Sequence, residues 1–198
     1  MKSTELVANA IAYLQVTTCY DKGFWCQSMT QSEYDRILKM YPDNAKYGNA
    51  KYIGSNVYAA DCICFIKQLL GGGTVNKRLT YGQMAANPVG DCTNQGFYNK
   101  LYDCCAPDQA MPGYGLATTG HAALYIGNGQ WIDFNYNGSQ NGIKLHTGFA
   151  GTNFKCGKIP GVAYESPDPE PKPEPIVKTE KEIIDGFLAF LRDSYLKS

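Results

Sequence analysis

Cys62 stands at the head of the run Asp61-Cys62-Ile63-Cys64-Phe65-Ile66-Lys67-Gln68-Leu69-Leu70, which stops at Gly71-Gly72-Gly73. Phe65, Ile66, Leu69 and Leu70 recur at helical spacing, so the run reads as a buried helix with the cysteine in its first turn and glycine as its stop. First-turn N–H groups have no helical acceptor and carry the positive end of the macrodipole, which favours an anion on a side chain placed there. Cys62 is therefore a candidate nucleophile, and Asp61 a candidate helix cap. Amide cleavage by sulfur also requires a group that moves protons and donors for the oxyanion. The chain has two histidines. His121 begins Gly120-His121-Ala122-Ala123-Leu124-Tyr125-Ile126-Gly127-Asn128-Gly129-Gln130-Trp131-Ile132-Asp133. Asn128-Gly129 between apolar β-formers is a strong hairpin signal. His121 then lies at the start of one strand, and Asp133, twelve residues on, in the returning one. Asp133 is placed to accept the Nδ1 proton of His121 and fix its tautomer. His146, in Lys144-Leu145-His146-Thr147, reads as a structural strand residue.

The elements that must hold these groups follow from periodicity and caps. Val7, Ile11 and Leu14 share a helical face, which predicts a first helix over 4–15. Thr30-x-x-Glu33 is a capping box that opens a helix through Met40, stopped by Pro42. Thr80-x-x-Gln83 starts a short helix closed by Pro88, and 93–102 reads as another. From Gly120 the period changes to two, which predicts strands near 120–126, 129–135, 142–147 and 159–164. Helices followed by a strand meander make an α+β arrangement, with the nucleophile helix packed on an antiparallel sheet.

Composition narrows the function. Lysine plus arginine equals aspartate plus glutamate at 18 each, and the sequence pI is about 6.7, which gives no electrostatic footprint for nucleic acid. No apolar run approaches the roughly 18 residues of a membrane span, and the start lacks a signal peptide's apolar core. Synthesis in a host cytoplasm without an export signal is expected. The eight cysteines, at 19, 26, 62, 64, 92, 104, 105 and 156, contain no Cys-x-x-Cys pair, so neither a zinc site nor another metal or cofactor is implied. Cys19 with Cys26, or Cys92 with Cys104 or Cys105, are disulfide candidates; buried thiols are the alternative. The 15 tyrosines, with Trp25 and Trp131, read as core or cleft wall. Residues 166–175 alternate proline with mostly charged residues and predict an extended linker after a domain over 1–165. Within 176–198, Ile183, Ile184, Phe187, Leu188, Leu191 and Tyr195 share one side of a helix whose stripe needs a partner: a second copy, giving a homo-oligomer, is the first expectation, with packing on the catalytic domain or a wall ligand as the alternatives.

The motifs Asp-Cys-x-x-Phe-Ile-Lys at 61–67 and Gly-His-x-x-Leu-Tyr-Ile-Gly-Asn-Gly at 120–129, with a polar residue twelve after the histidine, resemble the NlpC-type peptidoglycan hydrolases, which are papain-like cysteine peptidases. Pro112-Gly113 and Lys158-Ile159-Pro160 resemble the branch found in phages and their Gram-positive hosts. The resemblance covers roughly 1–165 and implies a papain-like core, with Cys62 as nucleophile, His121 as base and acid, and Asp133 as the orienting group. It also implies a Tyr20 hydroxyl near the oxyanion, from Tyr20-Asp21-Lys22-Gly23, and Asp61 near the substrate amine. Ile63 and Cys64 stand where the family usually has serine and glycine. The implied activity is a cell-wall-lytic endopeptidase that cuts peptidoglycan stem peptides, as in a phage endolysin. The alternatives are an N-acetylmuramoyl-L-alanine amidase of the CHAP type and a catalytically silent virion module.

Overall fold

The helix that begins at Cys62 is the centre of the architecture. In the computed structural model, which describes residues 1–165 except 139, the helix α3 spans Cys62–Leu70 and all nine of its residues are buried. It is preceded by α1 (Ser3–Ala12) and α2 (Gln31–Met40) and followed by α4 (Tyr81–Ala85) and α5 (Asn94–Lys100). The strands are β1 (Thr18–Tyr20), β2 (Trp25–Gln27), β3 (Tyr58–Ala60), β4 (Tyr102–Cys105), β5 (Gly115–Ala117), β6 (Ala122–Gly127), β7 (Gln130–Tyr136), β8 (Asn141–Thr147) and β9 (Lys155–Lys158). The fold is mixed α+β: β1, β3 and β2 form a small sheet, and the other six form an antiparallel sheet in the order β4-β9-β5-β6-β7-β8. Among the described residues no helix is long and apolar enough to cross a membrane.

Helix α3 lies against β6 and β7. Phe65, fully buried, packs its ring 4.9 Å from Phe134 of β7 and 5.4 Å from Tyr13, which follows α1. This aromatic contact fixes the helix that carries Cys62 to the sheet that carries His121 and Asp133. Phe65→Ala should therefore cost about 3–5 kcal/mol by leaving a cavity, to be read from the midpoint of denaturant unfolding. A loss under about 1 kcal/mol would mean the helix is held elsewhere.

The hairpin between β6 and β7 turns through Asn128 and Gly129, both left-handed, with φ of 53° and 68°. Tyr125 pairs with Trp131 and Gly127 with Gln130, so Ile126 is an extra residue that bulges the first strand. The small sheet docks on β8, where Thr18 Oγ1 accepts from the Ile143 N–H at 3.0 Å and Asn141 Oδ1 accepts from the Tyr20 N–H at 2.8 Å. Gly142 permits that approach, since a Cβ there would meet Thr18 Oγ1 at 2.4 Å.

Several expectations are corrected. The first helix ends at Ala12 and tightens into a 3-10 turn over Tyr13–Gln15. The helix expected over 93–102 stops at Lys100, and Tyr102–Cys105 becomes the edge strand β4. The final strand is Lys155–Lys158 rather than 159–164, because Pro160 and Gly161 turn the chain and leave only Ala163 in a parallel bridge to Lys2. At Thr30 the cap half of the box forms, with the hydroxyl accepting from the Glu33 N–H, while the Glu33 carboxylate pairs with Arg36. All eight cysteines are free. Cys19 and Cys26 face different clusters of the core, and Cys105 lies opposite Cys156 across β4 and β9, so none of the expected pairs is bridged. The linker over 166–175, the helix over 176–198 and association through it lie outside the described residues.

Candidate active site

The site is assembled where the start of α3 meets the start of β6. Cys62 is the first residue of α3, so its N–H is a donor that no helical carbonyl reaches. Asp61 caps the helix: Oδ1 accepts from the Cys64 N–H at 2.7 Å, and Oδ2 accepts from the Gly23 N–H at 2.9 Å. The two carboxylate oxygens thus tie the Tyr20–Gly23 loop to the start of α3. Tyr20, Asp61, Cys62, Asn94 and Gly120 are among the residues that line a cleft of about 910 Å³. Burial pushes the Tyr20 hydroxyl up, with Cys62 and Asp61 adding to the rise, so Tyr20 is a neutral donor beside the sulfur.

His121 immediately precedes β6, and Ala123 pairs with Asp133 across the hairpin, so the two functional side chains share a sheet face as diagonal neighbours. His121 Nε2 lies 2.7 Å from Asp133 Oδ2. The expected contact is through Nδ1; the diagonal geometry presents Nε2 instead. Burial would lower the His121 pKa, but Asp133 and the neighbouring Cys62 outweigh it and raise it to about 10. Asp133 is 1% exposed. Burial pushes its carboxyl up, yet the hydrogen bonds from His121 and Gln140 prevail and hold it below the ordinary carboxylate value.

The second oxygen of Asp133 brings in residues that sequence reasoning missed. Oδ1 accepts from Gln140 Nε2 at 3.0 Å and is 2.9 Å from His146 Nε2. Both histidines of the chain thus meet one buried carboxylate. His146 is more than a structural strand residue, and its ring stacks on Trp131 with centroids 3.9 Å apart. The β7–β8 register places His146 opposite Trp131, one pleat from Asp133. Reading a turn at Asn137-Gly138 would have shown that proximity. Asn94 is the other addition, with Oδ1 accepting from the Cys62 thiol at 3.5 Å and Nδ2 donating to the Gly120 carbonyl at 2.9 Å. No spacing rule connects two positions 32 residues apart on separate helices.

A buried acid next to Tyr20 adds a pH signature. Asp21 is fully buried, and burial pushes it up to about 6 although Asn49 hydrogen-bonds one oxygen. An acid whose folded pKa exceeds its unfolded value of about 3.9 stabilises the fold while protonated, and that contribution is lost as pH rises from about 4 to 6. His121 contributes fully below about 6.5 and loses its contribution as pH rises through about 10. Asp133 acts oppositely, its contribution being lost as pH falls through its lowered pKa. Urea midpoints should therefore decline with pH in two windows. Asp21→Asn should flatten the first and His121→Gln the second; a curve unchanged by either variant would contradict the assignment.

No protein-family model matches the chain, and no curated protein matches it either.

Proposed function

We propose that the chain is a cysteine endopeptidase of papain-like architecture that hydrolyses a stem-peptide amide of peptidoglycan, next to the γ-D-glutamyl residue, as phage endolysins of the NlpC type do. The observation that carries this reading is the 2.7 Å pairing of His121 Nε2 with the buried Asp133, with Cys62 beside the same imidazole at the head of an open cleft.

The reaction follows from the placement of each group. The Cys62 thiol gives its proton to His121 Nδ1, and the sulfur attacks the scissile carbonyl carbon. The Cys62 N–H and the Tyr20 hydroxyl hold the resulting oxyanion. Asp133 keeps the imidazolium oriented and charged until it passes its proton to the departing amine nitrogen, which breaks the C–N bond and leaves a thioester. Water then gives a proton to His121 and attacks the thioester, releasing the carboxylic acid and the Cys62 sulfur, which recovers its proton.

Mass spectrometry of muropeptides after digestion of Gram-positive walls tests the reading. An endopeptidase exposes a new amine and carboxylate within the stem peptide. Release of a free lactyl group would instead identify an amidase of the CHAP type, and unaltered muropeptides would identify a silent module.

A further inference from the structure

Three sulfurs gather at the edge of the six-stranded sheet, and none of them lines the cleft. The edge strand β4 pairs with β9, setting Tyr102 opposite Lys158 and Cys105 opposite Cys156. Asp103 and Cys104 therefore share the single Gly157 between those pairs, a bulge in which Asp103 takes a φ of 44°. A Cβ on Gly157 would lie 3.0 Å from the Cys104 sulfur, so Cys104 covers that glycine and is itself exposed. Cys105 instead packs, half-buried, against the core cluster that contains Cys156, Leu116 and Trp131. The Cys105 and Cys156 thiols are hydrogen-bonded, and burial, with the two neighbouring cysteines adding to it, pushes the Cys156 thiol up. Directly opposed residues of antiparallel strands have Cα atoms about 4.5–5.5 Å apart, inside the roughly 4.4–6.8 Å that a disulfide spans.

We propose that Cys105 and Cys156 form a thiol–disulfide site that takes a low-molecular-weight disulfide as its oxidant and closes into a bond stapling β4 to β9. The Cys105 thiolate attacks one sulfur of the small disulfide, breaks its S–S bond and expels one small thiolate, which leaves a mixed disulfide on Cys105. Cys156 gives its proton to water, attacks the Cys105 sulfur and expels the second small thiolate. Two protein thiols are thus oxidised by two electrons, one small disulfide is reduced, and both protons end on the released thiols. Cys105 acts first because it is the more accessible of the pair; Cys156 is 1% exposed. The raised Cys156 thiol makes the closing step the slower one and quickens it as pH rises. The closed loop, from Cys105 to Cys156, holds β5 to β8 with His121 and Asp133, so the bond restricts the unfolded chain of the whole meander. None of this chemistry requires Cys62 to be a nucleophile.

The test uses full-length protein, incubated with oxidised glutathione at pH 8, then acid-quenched, blocked with N-ethylmaleimide and digested without reductant. Trypsin separates Cys156 from Cys104 and Cys105, because Lys144, Lys155 and Lys158 lie between and after them. Mass spectrometry should find Cys156 bridged to the Cys104-Cys105 peptide within one chain, in the parent and in Cys104→Ser but not in Cys105→Ser. The oxidised parent should melt about 5 °C or more above its reduced form, and Cys105→Ser should show no such oxidant-dependent rise. A bridge from Cys104 to Cys105 or to Cys156, glutathione left on Cys105 with Cys156 still free, or a bond that leaves the melting midpoint unmoved would each overturn the proposal. Muropeptide digestion bears on the peptidase reading alone: a bridged, stabilised protein that leaves walls intact would reject that reading and keep the staple.

Discussion

Cys62→Ala should abolish clearing of Gram-positive wall suspensions, with kcat/KM reduced on the order of 10⁴-fold or more, as expected when the only covalent attacker is removed. The folded state should barely notice. Cys62 is 3% exposed, and the change removes one sulfur and one long S–H···O contact, so stability should fall by about 1 kcal/mol or less. Cys64 supplies the control. It is two residues further along the same helix, turned well away from the first, and burial with the nearby Asp61 raises its thiol well above the usual range. Cys64→Ala should therefore retain lysis within about ten-fold. Loss of activity in Cys64→Ala with survival in Cys62→Ala would reassign the nucleophile, and undiminished lysis in both would remove sulfur from the mechanism.

Sequence alone made the central line of the site legible because each of its parts is encoded locally. The cap at Asp61, the apolar face of α3 and the Asn128-Gly129 turn each follow from a few adjacent residues, and together they place Cys62, His121 and Asp133. The capping box at Thr80 and Gln83 forms in full for the same reason. What stayed hidden depends on contacts between distant segments. The strands β1, β2 and β3 are three residues each, too short to display a period, and they exist because β1 pairs with β3, Thr18 with Tyr58, between positions 40 apart in the chain. Asn94 and His146 reach the site through the same kind of closure. The choice of Nε2 over Nδ1 on His121 is likewise a matter of which edge of the ring the diagonal register turns toward Asp133. Periodicity predicts that two strands pair, whereas the ring edge presented depends on the His121 rotamer, which strand pairing does not encode.

Asp133→Asn should produce the second large loss, and it should do so through charge more than through shape. The amide is isosteric, so one oxygen can still accept from His121 while the new NH₂ group faces the Nε2 donors of Gln140 and His146, which now meet a donor in a buried space. Each donor left unsatisfied costs about 1–3 kcal/mol, and the fall in unfolding free energy should lie in that range. Catalysis should suffer more. With the carboxylate gone, the group that outweighs burial at His121 is lost, and the imidazole pKa should drop from about 10 toward or below its ordinary value. The ring would then leave its preferred tautomer and fail to stay charged beside the sulfur, and a decrease in kcat on the order of 10³–10⁴ is expected, as for the same change in other nucleophile-histidine-carboxylate sets. The accompanying signature is a histidine NMR titration. The chain has only two imidazoles, so the displaced resonance can be assigned with His146→Gln, and in Asp133→Asn the His121 midpoint should move down by several pH units. An Asp133→Asn protein with kcat within ten-fold of the parent and an unmoved His121 titration would show that the buried carboxylate serves the fold and not the base.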